Sequence, residues 1–162
     1  MIELEPFTEN DFQILKSWII TEKELFQFAG PIFSYPLTDE QLIDYVNMPD
    51  KKPLKVVLTA TRKIIGHCEL NFENNNQRLS RILIGDKAYR GKGLGAQIVL
   101  KMMAIIFENT KIKEVDLNVF DWNIGAIKCY EKVGFKIDHN KTTKLQVSDE
   151  VWTRLNMVYC KG

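Results

Sequence analysis

The sequence predicts an α+β domain in which helices cover both faces of one mixed sheet. Strand-like runs with a two-residue period follow one another in "LKVVLTATR", "KIIGHCELNF" and "RLSRILIG", which predicts an antiparallel meander. A glycine-rich loop, an amphipathic helix and the strand "KEVDLNVF" then form a strand–helix–strand unit. With 162 residues, 45% of them hydrophobic, the chain is long enough for one buried core, so residues 1–162 are expected to form one domain.

Helix signals precede the meander. Thr8 is the expected cap of a first helix, and Thr38 with Gln41 has the capping-box spacing that starts a second one. The segment "LFQFAGPIFSYPL" between them contains one glycine and two prolines. We expect it to be a loop, either packed on the core or forming a wall of a substrate site.

The second half of the chain continues with alternating helices and strands. A helix of about fifteen residues is expected after the glycine loop, because its apolar residues recur on one helical face. Another helix is expected from Asn123 to about Val133, with Gly134 in the usual position of a left-handed C-cap. The runs "FKID" and "VWTRLNMVYC" are predicted to be closing strands.

Composition excludes several function classes. Twenty-two Lys and Arg offset twenty-one Asp and Glu, and a net charge of +1 gives no sign of a nucleic-acid or membrane partner. The three cysteines lack CxxC spacing, which favours reduced thiols over a disulfide framework or a zinc site. The N-terminus has no signal-peptide pattern and no apolar run reaches the ~20 residues of a membrane span. The expected protein is cytoplasmic and binds no metal.

The stretch "YRGKGLG" carries the strongest chemical signal. Between a strand and a helix, such a loop directs unpaired backbone N–H groups and the positive end of the helix dipole at one point. Gly91, Gly93 and Gly95 remove the side chains that would keep a phosphate away, while Arg90 and Lys92 add positive charge. An ordinary tight turn is the alternative, but a turn needs one glycine rather than three alternating ones. The loop therefore favours phosphate binding.

Three templates compete for the phosphate ligand. A Walker A loop is excluded, because Gly85 and Gly91 are separated by five residues and Lys92 is followed by glycine. The dinucleotide fingerprint G-x-G-x-x-G/A is matched formally by Gly91, Gly93 and Ala96. However, the loop follows an antiparallel meander and no acidic residue ends the next strand. The third template is R/Q-x-x-G-x-G/A, which Arg90 opens.

The third template, together with the segment "NIGAIKCYEKVGF" about thirty residues further on, resembles the GNAT superfamily of N-acetyltransferases. The resemblance implies a GNAT-like, mostly antiparallel sheet with a splayed strand pair around acetyl-CoA. In the family, the loop holds the diphosphate of acetyl-CoA, and the free amides of the preceding strand pair with the pantetheine arm. The implied contact residues are Leu83, Ile84, Gly85, Arg90, Gly91, Lys92, Gly93, Leu94, Gly95 and Asn123.

The resemblance also implies a reaction, the direct attack of an amine on the thioester. Tyr130 would protonate the departing thiolate as general acid. The alternatives are a core aromatic for Tyr130 and a helix N-cap for Asn123. Several family members carry a Glu where this chain has Asn118, which cannot act as a base. Glu69 is our first substitute, because strand alternation could direct it into the cleft; a solvated strand residue is the alternative. His67 has the same parity and is a weaker candidate for the base, and Asp121 could bind a cationic substrate or only precede a helix cap.

The predicted function is acetyl transfer from acetyl-CoA to a small-molecule amine or a protein amine. A loose likeness relates the chain to the branch with spermidine and ribosomal-protein N-terminal acetyltransferases. The rival hypothesis is a non-catalytic acyl-CoA-binding module, consistent with Asn118 in place of Glu. A nicotinamide dehydrogenase is a more distant alternative. The sequence is compatible with a monomer or a homodimer.

Overall fold

The computed structural model describes all 162 residues and contains eight strands and five α-helices. The strands are β1 (Ile2–Pro6), β2 (Lys51–Leu58), β3 (Ile64–Asn71), β4 (Arg78–Ile84), β5 (Glu114–Phe120), β6 (Lys136–Ile137), β7 (Thr143–Val147) and β8 (Glu150–Cys160). The helices are α1 (Phe12–Trp18), α2 (Glu22–Ala29), α3 (Asp39–Val46), α4 (Leu94–Ile106) and α5 (Ile124–Val133). None of the helices combines the length and the apolar content that crossing a bilayer requires.

The strands form one sheet in the order β1-β2-β3-β4-β5-β8-β6, and β7 also pairs with β8. The predicted meander is confirmed as β2, β3 and β4, which pair antiparallel in sequence order. Only β4 and β5 pair in parallel, and helix α4 forms the crossover connection that a parallel pair needs. The predicted fold class, a mixed and mostly antiparallel sheet, is therefore confirmed.

Helices cover both faces of this sheet. The larger core, of 19 buried residues, includes the inward faces of α4 and α5, and a second core of 11 buried residues belongs mainly to α1, α2 and α3. Alternation along β3 separates the two layers, because Cys68 lies in the larger core whereas His67 and Glu69 contact side chains of the other layer. The shared parity predicted for His67 and Glu69 is confirmed.

Local signals explain where most helices start and end. The Thr38 hydroxyl accepts a hydrogen bond from the Gln41 amide at 3.3 Å. Thr8 precedes a short 3-10 turn before α1, where the Asp11 carboxylate accepts from the Thr8 amide at 2.8 Å, and Asp11 rather than Thr8 is the N-cap of α1. α4 has thirteen residues, and α5 ends at Gly134, whose φ of 120° disfavours other residue types.

Part of the "LFQFAGPIFSYPL" prediction is wrong, since Leu25 to Ala29 belong to helix α2 rather than to a loop. Thr21 accepts from the Glu24 amide at 3.1 Å, while the Glu24 carboxylate accepts from the Ile20 amide at 3.2 Å. The Thr-x-x-Glu spacing was thus available as a helix signal. Strands β1 and β7, which pair with β2 and β8, were not predicted either.

Candidate active site

The sheet opens between its two parallel strands. Pairing between β4 and β5 is limited to two positions, Arg78↔Asp116 and Leu79↔Leu117. Beyond these positions the two strands separate, so the ends of β4 and β5 leave a gap bordered by backbone groups. The splayed strand pair that the resemblance implied is therefore present.

A buried ion pair closes the narrow end of the gap. Asp116 is 3% exposed and accepts hydrogen bonds from Arg78 Nε at 2.8 Å and Nη2 at 2.9 Å. Asn156 and Asn76 donate to the same carboxylate at 3.0 and 3.1 Å. Burial acts to raise the pKa of Asp116, but the hydrogen bonds from Arg78 and Asn156 outweigh it and lower the pKa overall. The carboxylate therefore stays charged and holds the two strands together.

The gap-facing edge of β4 differs in part from the expectation of three free amides. The Gly85 amide donates to the Ile65 carbonyl of β3 at 2.9 Å, so the expected free amide is wrong for Gly85. Because backbone groups alternate in direction along a strand, Leu83 faces β3 as Gly85 does, and only Ile84 of the three faces away from it. The Ile84 carbonyl accepts from Arg90 Nε at 2.8 Å, which ties the strand end to the glycine loop. Gly85 lies against Trp18, since a Cβ at residue 85 would overlap the Trp18 ring.

The glycine loop provides an open and positively charged backbone surface. Gly91 and Gly93 have φ of 72° and 77°, and a Cβ on either residue would meet no atom within 4 Å. The amides of Gly91, Lys92 and Gly93 donate to no backbone acceptor, and the first amides of α4 lack intrahelical acceptors by geometry. Lys92 and Lys63 both lie over the Tyr89 ring, at 5.6 and 5.2 Å. The residues fit a bound diphosphate.

Gly95 has a different role from the other two glycines of the loop. It lies in the first turn of α4, and a Cβ there would be 3.3 Å from Cys129 Sγ. The absence of a side chain thus allows α4 and α5 to pack closely. Cys129 is half-buried, as expected for a packing residue.

Helix α5 carries the predicted cofactor and acid residues. Asn123 caps α5, its side-chain oxygen accepting from the Ala126 amide at 3.4 Å. Tyr130 packs against the larger core, and its ring lies 6.3 Å from that of Phe135. Burial raises the pKa of the Tyr130 hydroxyl, so the group stays protonated at neutral pH. A protonated hydroxyl is the form that a proton donor needs.

The sequence of this region is similar to that of a known protein family. The sequence profile of the acetyltransferase (GNAT) family matches residues 20–135, which include the gap, the glycine loop and α5.

The chain belongs to the GNAT family.

Individual GNAT relatives include enzymes named for amine acetylation. Aminoglycoside N(6')-acetyltransferase type 1 of Klebsiella pneumoniae is 31% identical over 157 residues, which cover 88% of this chain and 77% of that protein. The spermine/spermidine N(1)-acetyltransferase of Bacillus subtilis is 36% identical over 72 residues, or 43% of this chain. That match spans about half of the relative, 47% of its length.

Solved structures share the whole fold. A spermidine N-acetyltransferase from Vibrio cholerae, solved with CoA and spermine, has a TM-score of 0.80 at 15% identity and covers 99% of this chain and 95% of its own. Aminoglycoside acetyltransferase AAC(6')-Ib, solved with coenzyme A and kanamycin, has a TM-score of 0.73 at 18% identity, with the same coverage. At these identities the likeness establishes the GNAT fold.

In this GNAT chain, Glu69 is enclosed rather than solvated, so the alternative of a solvated strand residue is wrong. The side chain is 0% exposed; one carboxylate oxygen accepts from the Tyr45 hydroxyl and the other from Arg81 Nη1, both at 2.6 Å. Burial raises the pKa of the Glu69 carboxyl, and the Arg81 charge and the Tyr45 hydrogen bond oppose that shift. Sequence periodicity placed Glu69 on the same face of β3 as His67, but it identified neither partner.

Arg81 and His67 complete the Glu69 cluster. Arg81 has a φ of 48° and lies where the β3–β4 register shifts, so β4 has a bulge at this residue. The Arg81 carbonyl accepts from His67 Nδ1 at 2.9 Å. Burial lowers the pKa of His67 to about 4, so its imidazole is neutral. No sequence signal marks an arginine with positive φ, so the sequence did not predict this bulge.

The remaining polar candidates lie near the end of β5. Asn118 is half-buried and its side-chain oxygen accepts from Asn156 Nδ2 at 3.1 Å. Asp121 is exposed and follows β5 directly. No group of three or more His, Cys, Asp or Glu side chains is placed to hold a metal ion.

Proposed function

We propose that the chain, acting as one domain, transfers an acetyl group from acetyl-CoA to a primary amine by direct attack. One observation carries the proposal: the gap between β4 and β5 ends at a glycine loop whose unpaired amides surround open space. A phosphate group at the loop and an extended arm along the gap would use both features at once. Both features would be unexplained in a protein that binds no such ligand.

The proposed cofactor contacts follow from this geometry. The diphosphate would lie against the amides of Gly91 to Gly95, with Arg90 and Lys92 supplying positive charge. The pantetheine arm would follow the gap-facing edge of β4 at the backbone of Ile84, next to Leu83, and Asn123 would contact it from α5. Gly85 would shape this edge without donating its amide.

The proposed reaction forms a C–N bond and breaks a C–S bond. A neutral amine nitrogen attacks the thioester carbonyl carbon, and the sulfur leaves as a thiolate, which the Tyr130 hydroxyl protonates. The attacking nitrogen, which becomes positively charged, loses a proton, and this proton restores the Tyr130 hydroxyl. A free alkylamine has a pKa of about 10.4, so it must lose a proton before it attacks. Glu69 is our proposed acceptor for that proton through water, although its carboxylate is already bound by Arg81 and Tyr45.

The names of relatives support an amine as acceptor. Relatives named for spermine, spermidine and aminoglycosides share the acetyltransferase name but differ in acceptor. We therefore propose a small-molecule amine for this chain, and acetyl-CoA as the donor.

The first test measures acetyl-CoA binding by calorimetry in Gly93→Asp and its neutral isostere Gly93→Asn. Asn tolerates the left-handed conformation of residue 93, so the pair differs mainly in charge. We expect the Asp variant to bind more weakly than the Asn variant, by a factor that shrinks as salt is added. Equal affinity of both variants and the wild type would refute the loop's role, and tight binding without CoA release from any amine would favour the non-catalytic module.

A further inference from the structure

A cleft of about 480 Å³ lies on the surface between α2, the turn that links β5 to α5, and the start of β8. Its lining residues are Lys23, Glu24, Gln27, Trp122, Glu150 and Trp152. Phe120, the last residue of β5, packs beneath it, with its ring 4.9 Å from Trp152 and 6.1 Å from Phe26 of α2. β5, which ends at Phe120, also borders the gap, and Asn123 of the proposed acetyl-transfer site directly follows Trp122 in the chain.

Two tryptophans form a rigid corner of the cleft. Their rings are 5.1 Å apart at 73°, and Trp152 is held between Phe26 and Phe120. Trp152 is 9% exposed, but Trp122 is 45% exposed and therefore presents a large aromatic surface to water. An indole face in this position attracts a cation through its electron-rich π-system.

Carboxylates complete the cleft. Glu150 accepts from Trp152 Nε1 at 2.9 Å, which fixes its carboxylate at the tryptophan corner. The same carboxylate forms an ion pair with Lys23, whose side chain comes from α2. Glu24 adds a second carboxylate, so two negative charges face one positive charge.

The Lys23 side chain places an ammonium group against the Glu150 carboxylate of the cleft. Its ammonium is bound by Glu150, and this hydrogen bond raises the pKa of Lys23, with Asp149 adding to the effect. Both partners of the ion pair are nearly half exposed, at 47% and 46% of their side chains. Exposed ion pairs of this kind contribute little to stability, so another ammonium can replace Lys23 at small cost.

We propose that the cleft binds a second ammonium group of the acceptor, so that the substrate is a diamine or polyamine. One ammonium would contact Trp122 and Glu150 while the other amine, deprotonated, reaches the gap between β4 and β5. This inference rests on the proposed acetyl transfer, but ammonium binding in the cleft can be measured without turnover.

The binding test uses calorimetric titration of the CoA-loaded protein, in which no acetyl group can be transferred. The probes are 1,4-diaminobutane and 1,8-diaminooctane, each beside the monoamine of the same carbon chain, n-butylamine and n-octylamine. We expect at least one diamine to bind about tenfold more tightly than its monoamine, and Trp122→Ala and Glu150→Gln to remove most of that difference.

Lys23→Met is expected to strengthen diamine binding, whereas Trp122→Ala and Glu150→Gln should weaken it. It keeps the apolar stem but releases the Glu150 carboxylate, so the Kd of the diamine should fall severalfold. Glu3→Gln is the matched control: it weakens an exposed ion pair with Arg62 on β1, at the far end of the sheet, and should change neither ligand's Kd.

The outcomes separate this inference from the proposed function. Equal binding of diamine and monoamine, or equal effects of Glu150→Gln on both, would overturn the cleft assignment. The predicted binding pattern without acetylated product from any amine would leave the cleft assignment standing and refute the acetyl transfer. Turnover of monoamines and diamines with equal KM would support acetyl transfer and refute the second ammonium site.

Discussion

Glu69→Gln is the substitution that separates the structural role of Glu69 from its proposed chemical role. The side chain is 0% exposed, and the substitution keeps its shape while removing the charge that pairs with Arg81 at 2.6 Å. Arg81 is itself only 10% exposed in its side chain, so its charge would be left buried without a partner. Removing one partner of such a pair costs about 3–5 kcal/mol, a large share of the roughly 5–15 kcal/mol that stabilises a domain.

The assay is urea unfolding followed by tryptophan fluorescence, applied to Glu69→Gln, Arg81→Met and the double variant Glu69→Gln with Arg81→Met. We expect each single variant to lose about 3–5 kcal/mol of unfolding free energy, and the double variant to lose less than the sum of the single losses. The double variant leaves no unpaired charge, which is the reason for this difference. Single losses below about 1 kcal/mol, or strictly additive losses, would refute the structural reasoning.

Activity of the same variant tests the proton-transfer proposal. If Glu69 accepts the proton of the amine, Glu69→Gln should lower kcat by about 10²–10⁴-fold and flatten the dependence of rate on pH. If Glu69 only stabilises the bulge at Arg81, the variant should keep the pH profile of the wild type at temperatures where it stays folded. A preserved profile with near-normal kcat would exclude Glu69 as the proton acceptor.

Three further predictions address other parts of the molecule. Tyr130→Phe should lower kcat by about 10²–10⁴-fold with little change in acetyl-CoA affinity, because only the hydroxyl is lost; unchanged kcat would remove Tyr130 as the acid. Gly85→Ala should reduce the unfolding free energy by about 1–3 kcal/mol in urea titration, since a Cβ would overlap the Trp18 ring. The buried His67 has a pKa of about 4 in the fold and 6.5 when exposed, so its contribution to stability should be lost as pH falls from 6.5 to 4. The loss of unfolding free energy should be about 3 kcal/mol larger in the wild type than in His67→Asn. The raised pKa of Glu69 increases stability as the pH falls, but it does so in both proteins and therefore cancels in the comparison.

Features that depend on local periodicity and backbone geometry could be predicted from the sequence. Alternating residues located the meander strands β2, β3 and β4, and helical spacing located α4 and α5. Glycines at positions 91 and 93 signalled positive φ, which both adopt. These features are encoded in neighbouring residues, and a pattern can therefore reveal them.

Contacts between residues that are distant in the chain could not be predicted from the sequence and were found only in the folded structure. Glu69 joins Tyr45 and Arg81, and Lys23 joins Glu150 across 127 positions of the chain. The bulge at Arg81 results from a register shift between β3 and β4, although arginine has no intrinsic preference for a φ of 48°. Gly95 serves the packing of α4 on α5 at Cys129, a contact that the loop motif does not encode. Such contacts depend on how the whole sheet packs against both helical layers. Local sequence patterns carry no information about this long-range packing, so they do not reveal the contacts.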